Sequence, residues 1–495
     1  MRSPLRLAGY ALAALLFAAI CYRAATQSVV HDEALNWQIY LNGPVSNLFT
    51  VYDPNHHFLA TVLARISTGV LGVSAFTMRL PAVLAGAWYL WTVFELCWFL
   101  FAGRPLFLIS ALALAVNPFV LDFLVAARGY GLALACLFWA LYQMALYGKE
   151  RKLGRLSSAG VSLSLAVAAN LTFLIPALVL AVAFAWVLLS QAPAQPVSPP
   201  KAAGRKARGK LDRRATPAAE LARFLIPAAA VMLAFLLLAP LEAAGMSQFY
   251  AGAHSMSESL QSILSVSFDH NGGAGAPVLA WMACLRVLLP LLVLAALVLS
   301  WRSAPVCDAV TTVQFLASAA VLGSWLLLAA AHFTIGLLLP LDRTGIYFLP
   351  LALLSIACLA ETARCRAPWT GHALAVFLAV VAAHFCFEWN TSSFVVWRYD
   401  ADSPRIIDEL GSMHTGHSSP PRLGISWQLE PSFNFYRTVR RLDWMPPVGR
   451  RGPDGDYDYY ILIPQDQPLL QTRKLRVVFR GEVSGTVLAV PSSQQ

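Results

Sequence analysis

The sequence predicts an all-α polytopic membrane protein of about 11 transmembrane helices, followed by a small external α/β domain. Three observations predict it. Of 495 residues, 58% are apolar and only 13% charged, where a soluble domain carries about a quarter charged; mean hydropathy is +0.60. The apolar residues gather in long blocks separated by short polar pieces, the pattern a bilayer selects. Beyond Asn390 the blocks stop, and short alternating or amphipathic segments replace them. The composition excludes one large soluble enzyme, and 30 Gly and 30 Pro exclude a collagenous or disordered chain.

Taken in order, the blocks predict spans over 5–25, 80–101, 105–121, 129–147, 156–171, 173–190, 223–241, 277–300, 311–331, 344–361 and 371–389. The shorter ones are accommodated by tilt or local thinning. Residues 1–25 also fit a signal peptide, with an Ala-rich cleavage site before Thr26, but the residues that follow look functional and favour an uncleaved span. Phe58–Val73 is apolar too. If it crosses the membrane, every later loop changes side; if it lies in the interface, Arg2, Arg6, Arg104, Lys149–Arg155, Arg302, Arg364, Arg366 and the tract 201–214 all fall on the cytoplasmic side. The second reading predicts a long first external loop, 26–79, holding membrane-lying helices. It makes 1–389 the membrane domain, 191–222 a basic cytoplasmic linker and 390–495 an external domain. In the tail, Ser403–Gly411 and Ser432–Leu442 read as amphipathic helices. Leu423–Trp427, Tyr459–Ile463, Arg476–Phe479 and Thr486–Val490 read as strands.

The net charge of +10 invites a polyanion as partner. Much of it sits in Lys201, Arg205, Lys206, Arg208, Lys210, Arg213 and Arg214, a Pro/Ala/Gly-rich run without aromatics and bracketed by spans, which reads as a positive-inside loop and not a nucleic-acid surface. The 8 cysteines lie in or beside apolar blocks with no CxxC, so neither a disulfide framework nor a zinc site is indicated. There is no internal repeat, no GxGxxG and no Walker sequence, which disfavours a nucleotide-driven pump.

The chemistry-bearing residues collect at the outer ends of the spans. Asp32 and Glu33 follow the first span directly, where low dielectric suits a carboxylate to act as a general base; the competing reading is a helix start, with Asp32 as cap and Glu33 complementing the dipole. His56 and His57 open the interfacial block and suit phosphate contact. Metal binding with Asp32 is the less natural reading, because adjacent histidines on a helix diverge by about a hundred degrees. Asp122, Arg128 and Tyr130 lie at one span end, Asp342 and Arg343 at another. The arginines suit a phosphate lipid, or Asp122–Arg128 and Asp342–Arg343 are ion pairs that set helix depth.

Together, Asp32-Glu33 after the first span, the histidine pair, Arg79-Leu80-Pro81, Asn117-Pro118 followed by Arg128-Gly129-Tyr130, and Asp342-Arg343 before Pro350 resemble the GT-C membrane glycosyltransferases. The likeness is to the branch of protein O-mannosyltransferases, the lipid A aminoarabinose transferase and lipopolysaccharide-core sugar transferases, over roughly residues 5–360. The resemblance implies sugar transfer outside the cytoplasmic membrane from a polyprenyl-phosphate-linked donor, with an acidic residue of the first external loop activating the acceptor hydroxyl. Asp32 matches that position and Glu33 its usual neighbour. His56 and His57 fall where relatives place His or Lys before Pro-Leu, with Phe58 in place of that proline, and Arg128 and Arg343 match the family's donor-phosphate arginines, with Asp122, Tyr130 and Asp342 as support. It implies an inverting reaction without a required cofactor or metal, a glycan, lipid or protein as acceptor, membrane lipids as neighbours, and the external domain as an appendage. The competing classes are a transporter or lipid-linked sugar flippase, which places binding groups near the midplane in repeated halves, and a polysaccharide polymerase or ligase, which takes a lipid-linked oligosaccharide.

Overall fold

A computed structural model describes residues 4–190, 216–243, 251–301, 308–415 and 419–492. The basic tract 201–214, most of the linker 191–222, and Arg2 and Arg302 lie outside the described residues. Among those described, nine helices are long and apolar enough to cross a membrane: Pro4–Thr26, Ala75–Phe101, Gly129–Glu150, Leu171–Ser190, Pro217–Leu238, Ala276–Ser300, Ala309–Ile335, Asp342–Arg364 and Pro368–Phe387. Two shorter apolar helices, Pro105–Ala115 and Leu153–Ala169, stand where the two remaining blocks were expected. The chain is a polytopic helical membrane protein.

Local sequence explains where the helices stop. Pro105–Ala115 ends because Pro118 cannot continue it; Asn117 turns the chain and its side chain accepts from the amides of Phe119 and Val120 at 2.9 and 3.1 Å, starting the short helix Pro118–Phe123. The turn 124–128 then leads into Gly129–Glu150. At 1.5 Å per residue, that 22-residue helix separates Arg128 from the Lys149–Arg155 cluster by roughly 33 Å, the depth of a bilayer core. Phe58–Leu71 is a separate helix, shorter than the spans, that buries Thr61, Ala64 and Thr68 and exposes Ile66, Val70 and Leu71.

The tail forms a four-stranded sheet of β1 (Leu423–Ile425), β2 (Tyr459–Leu462), β3 (Leu475–Arg480) and β4 (Val487–Pro491), in the order β1-β2-β4-β3. β1 and β2 are parallel, the other pairs antiparallel. Alternation along β2 and β4 divides the faces. Ile461, Leu488 and Val490 pack on the helices Ser403–His414 and Glu430–Val439, while Tyr460, Leu462, Val487 and Ala489 are covered from the other side by Leu469, Leu470 and Leu475.

The first of these cores does not stop at the domain. It continues through Val29, Ala34, Trp37 and Met78 of the first external loop, and Trp37 meets Phe435 edge-on with ring centres 5.1 Å apart. The tail is therefore packed onto the segment that carries Asp32, not merely appended to the bundle.

Candidate functional site

The first span ends at Thr26, and after an extended stretch the chain re-enters a helix at His31–Asn36, continued by the wider turn Trp37–Leu41. Asp32 is not the cap of this helix: Val30 is, and the Glu33 carboxylate accepts from the Val30 amide at 3.1 Å. Glu33 also takes a two-pronged bond from Arg79, Nε to Oε1 at 2.9 Å and Nη2 to Oε2 at 2.6 Å, and a third from the Ala127 amide at 2.6 Å. The other Arg79 donors go to the carbonyls of Ala24, Gln27 and Ser28, and both side chains are fully buried. Glu33, expected to share the catalytic role with Asp32, has structural partners on both of its oxygens. Its lone pairs are spent on Arg79 and two amides, so Glu33 fastens the first span, the second span and the turn 124–128 to one another.

Asp32, one residue earlier, lies about a hundred degrees round the helix and faces a different set of groups. Its Oδ2 is 3.1 Å from Arg343 Nη1 and 3.6 Å from Arg128 Nη2. Arg128 is held by Asn55, whose side-chain and main-chain oxygens accept at 2.9 and 3.2 Å. Arg343 lies over the Trp397 ring at 5.4 Å, and the same indole helps to stabilise the Asp32 charge. Burial by itself raises the Asp32 pKa, but Arg343 and Arg128 outweigh it and hold the carboxyl below its ordinary value. Burial acts as expected of the membrane boundary, and the two arginines act against it.

His56 and His57 stand beside this cluster. His56 stacks on Tyr40 with centres 4.1 Å apart, and His57 meets Tyr130 edge-on at 5.0 Å. Burial lowers the His56 pKa to about 4. Burial, reinforced by the charges of Arg128, Arg343 and His56, lowers that of His57 further below the ordinary range. Burial thus favours the neutral form of both imidazoles. Tyr130 packs between His57 and Phe123.

Neither expected local ion pair forms. Asp122 bonds Arg23 at 2.5 Å, accepts from the Val395 amide at 2.9 Å and lies 3.3 Å from His270, so it anchors the first span and the segment after the last one instead of Arg128. Asp342 is bonded to Ser262, while Arg343 turns away to Asp32. Asp122 thus fixes the backbone at Val395 and Asp342 the Ser262 side chain, and neither is bonded to Arg128 or Arg343.

Sequence reasoning missed four participants. Arg79 carried a signal in Arg79-Leu80-Pro81, and Arg23 stands out as a charge in the last turn of an apolar span. Asn55 and Trp397 carried none, because each matters only through a neighbour that folding brings to it. Residues 393–400 touch the Arg23–Asp122, Arg79–Glu33 and Arg343–Asp32 pairs in turn. The Ser393 carbonyl accepts from Arg23 at 3.2 Å and Gln27 at 3.3 Å; Phe394 lies under Arg23 and Arg79; Asp400 accepts from the His31 amide at 2.7 Å. Among the described residues no group of three or more His, Cys, Asp and Glu comes together as a metal set.

No family model matches the sequence, and no curated protein sequence matches it. The fold has solved counterparts. The chain is similar to the crystal structure of ArnT from Cupriavidus metallidurans bound to undecaprenyl phosphate, at 13% identity over 100% of this chain and 99% of that one, with a TM-score of 0.52. It is similar to the apo state of the same protein at 12% identity over 98% and 97% of the two chains, with a TM-score of 0.51. End-to-end coverage at this identity speaks to architecture alone. The chain is a polytopic membrane protein with the GT-C fold.

Proposed function

We propose that the protein is an inverting glycosyltransferase that moves a sugar from a polyprenyl-phosphate-linked donor to an acceptor hydroxyl at the outer face of the cytoplasmic membrane. The N-terminus is then cytoplasmic and the tail domain external. The observation that carries this reading is the convergence of Arg128 and Arg343 on the single ionised carboxylate of Asp32, at the same end of the bundle as a surface helix. Two forks aimed at one point suit a phosphate. An apolar cleft lies between Ile263, Leu264, Val293, Val321, Trp325 and Phe348, and its lining suits an isoprenoid tail. ArnT of the same fold binds undecaprenyl phosphate.

In this reading the donor phosphate takes over the two guanidiniums and so releases Asp32. With its cationic partners engaged elsewhere, burial dominates and Asp32 becomes the stronger base. It takes the acceptor hydroxyl proton as that oxygen attacks the anomeric carbon from the face opposite the phosphate. The bond from that carbon to the phosphate oxygen breaks, and polyprenyl phosphate leaves with one more negative charge, which Arg128 and Arg343 offset. The arginines supply the charge, so no metal is assigned to the step, and transfer is expected to continue unchanged in EDTA.

The test is transfer from an undecaprenyl-phosphate sugar by Asp32→Asn and Asp32→Glu protein in nanodiscs. General-base loss is worth about 10²–10⁴-fold. Asp32→Asn should fall by that order while still binding undecaprenyl phosphate, and Asp32→Glu should retain part of the rate. An Asp32→Asn protein that transfers normally removes Asp32 as the base.

A further inference from the structure

Three polar atoms that the mechanism leaves unused are His56 Nε2, His57 Nε2 and Asn170 Nδ2. Each is buried without a hydrogen-bond partner, and the three residues, all more than nine-tenths buried, line one pocket with Phe58, Phe235 and Leu241. Buried polar atoms are normally paired, so three unpaired ones around a common space mark a place built for a polar ligand. Building on the donor reading above, we propose that this pocket receives a hydroxyl of the donor's sugar and selects among donor sugars.

The chemistry of the lining separates a sugar from a phosphate. The Asn170 side chain is oriented by its own oxygen, which accepts from Thr172 N at 3.0 Å and Thr172 Oγ1 at 2.9 Å, so its NH₂ group is the free donor. In the neutral form each imidazole offers one donor or one acceptor position. Hydroxyl groups both donate and accept and match such a set, whereas an anionic phosphate accepts only and is better served by Arg128 and Arg343. Phe58 and Phe235, with ring centres 5.9 Å apart, supply apolar surface for the C–H face of a sugar. The pocket is small, with room for about one water-sized group, so a single hydroxyl of the sugar enters and the ring with its anomeric carbon stays outside.

Its position follows from connectivity. Asn55 binds Arg128 with both of its oxygens, and His56 and His57 are the next two residues. Asn36, one turn beyond Asp32 and on the same helix face, donates to the Asn55 carbonyl at 3.2 Å and to Thr61 at 3.0 Å. A Cβ on Gly129 would overlap the Ala169 carbonyl and press on His57, so the segment carrying Arg128 is in direct contact with two pocket walls. These contacts join the pocket walls to the residues that hold Arg128, the arginine proposed to bind the donor phosphate.

The experiment compares binding of four lipids to the full chain in nanodiscs: undecaprenyl phosphate without sugar, and its mannosyl, glucosyl and arabinosyl forms. Wild type should bind one sugar lipid at least tenfold more tightly than the bare lipid. His56→Phe and His57→Phe keep the ring contacts with Tyr40 and Tyr130 and remove the nitrogens. Each should erase most of that preference while binding the bare lipid within twofold of wild type, which also shows that the variant is folded. Equal loss of bare and sugar-bearing lipid in the variants would move the histidines to the phosphate site and overturn the proposal, as would a wild type without sugar preference. Wild type binding none of the four lipids would instead refute the donor reading itself.

Discussion

Asp32 and Glu33 are neighbours with opposite fates, and the difference lies in what each carboxylate has left to do. Glu33 is saturated by Arg79 and two amides, whereas Asp32 meets arginines that a phosphate anion can draw away. Removing one member of a fully buried pair costs about 3–5 kcal/mol, because the other charge stays buried alone. Arg79→Met should therefore lower the thermal midpoint sharply, and Arg79→Met combined with Glu33→Gln should recover more than half of the loss. A double variant no better than the single one would mean that Glu33 is not the stranded charge. Gly129 acts at the same scale. Its missing Cβ lets the chain pass the Ala169 carbonyl, and Gly129→Ala should reduce donor affinity more than acceptor affinity, read as separate KM values, since it displaces Arg128 and His57 but not Asp32.

Among the elements, the segment 393–400 acts as a strap. It leaves the last span and touches Arg23, Asp122, Arg79, Arg343 and the start of the Asp32 helix in turn. Its Asp400 is fully buried, and burial pushes its pKa up to about 8, with Asp32 and Glu33 adding to the rise against the bonds from Ser432 and the His31 amide. The sign of the linkage follows. Below about pH 4 Asp400 is protonated folded and unfolded alike and contributes nothing. Between there and pH 8 the unfolded chain has released a proton that the folded one keeps, so stability falls as pH rises, and the cost is complete above 8. Asp400→Asn keeps an acceptor for His31 without the charge. Its thermal midpoint should exceed that of wild type by a margin that widens from pH 5 to pH 9; a margin independent of pH would show that Asp400 does not titrate in this range.

The whole molecule joins a membrane bundle to an external sheet through one continuous apolar core, Trp37 and Met78 on one side and Phe433, Phe435 and Ile406 on the other. The domain holds residues 28–31 at several points: Tyr436 Oη accepts from the Val29 amide at 2.7 Å, and the His31 ring bonds the Gln428 carbonyl at 2.6 Å. Tyr436→Phe removes the first of these acceptors. It should lower kcat several-fold with donor binding unchanged, because it loosens the backbone before Asp32 and touches neither arginine; a fall in donor affinity instead would place its effect on the lipid site.

What the sequence determined by itself is what depends on local composition. An apolar block long enough for a bilayer specifies a helix, since every peptide group must be satisfied inside it, and so the eleven blocks and the surface helix were legible. The strands were legible from alternation, and Asp32, Arg128 and Arg343 from charges at span ends, where a charge is too costly to be idle. Pairing is another matter. Whether Glu33 or Asp32 is free depends on Arg79, 46 residues away from Glu33, and on Arg343 and Trp397 much farther along. A carboxylate beside an arginine in sequence looks the same whether they meet or turn apart, as Asp342 and Arg343 do. The charge state of His56 and His57, the polar pocket they share with Asn170, and the strap that binds the C-terminal domain to the Asp32 helix were decided only by the tertiary structure, because burial and electrostatic coupling depend on which segments meet in space.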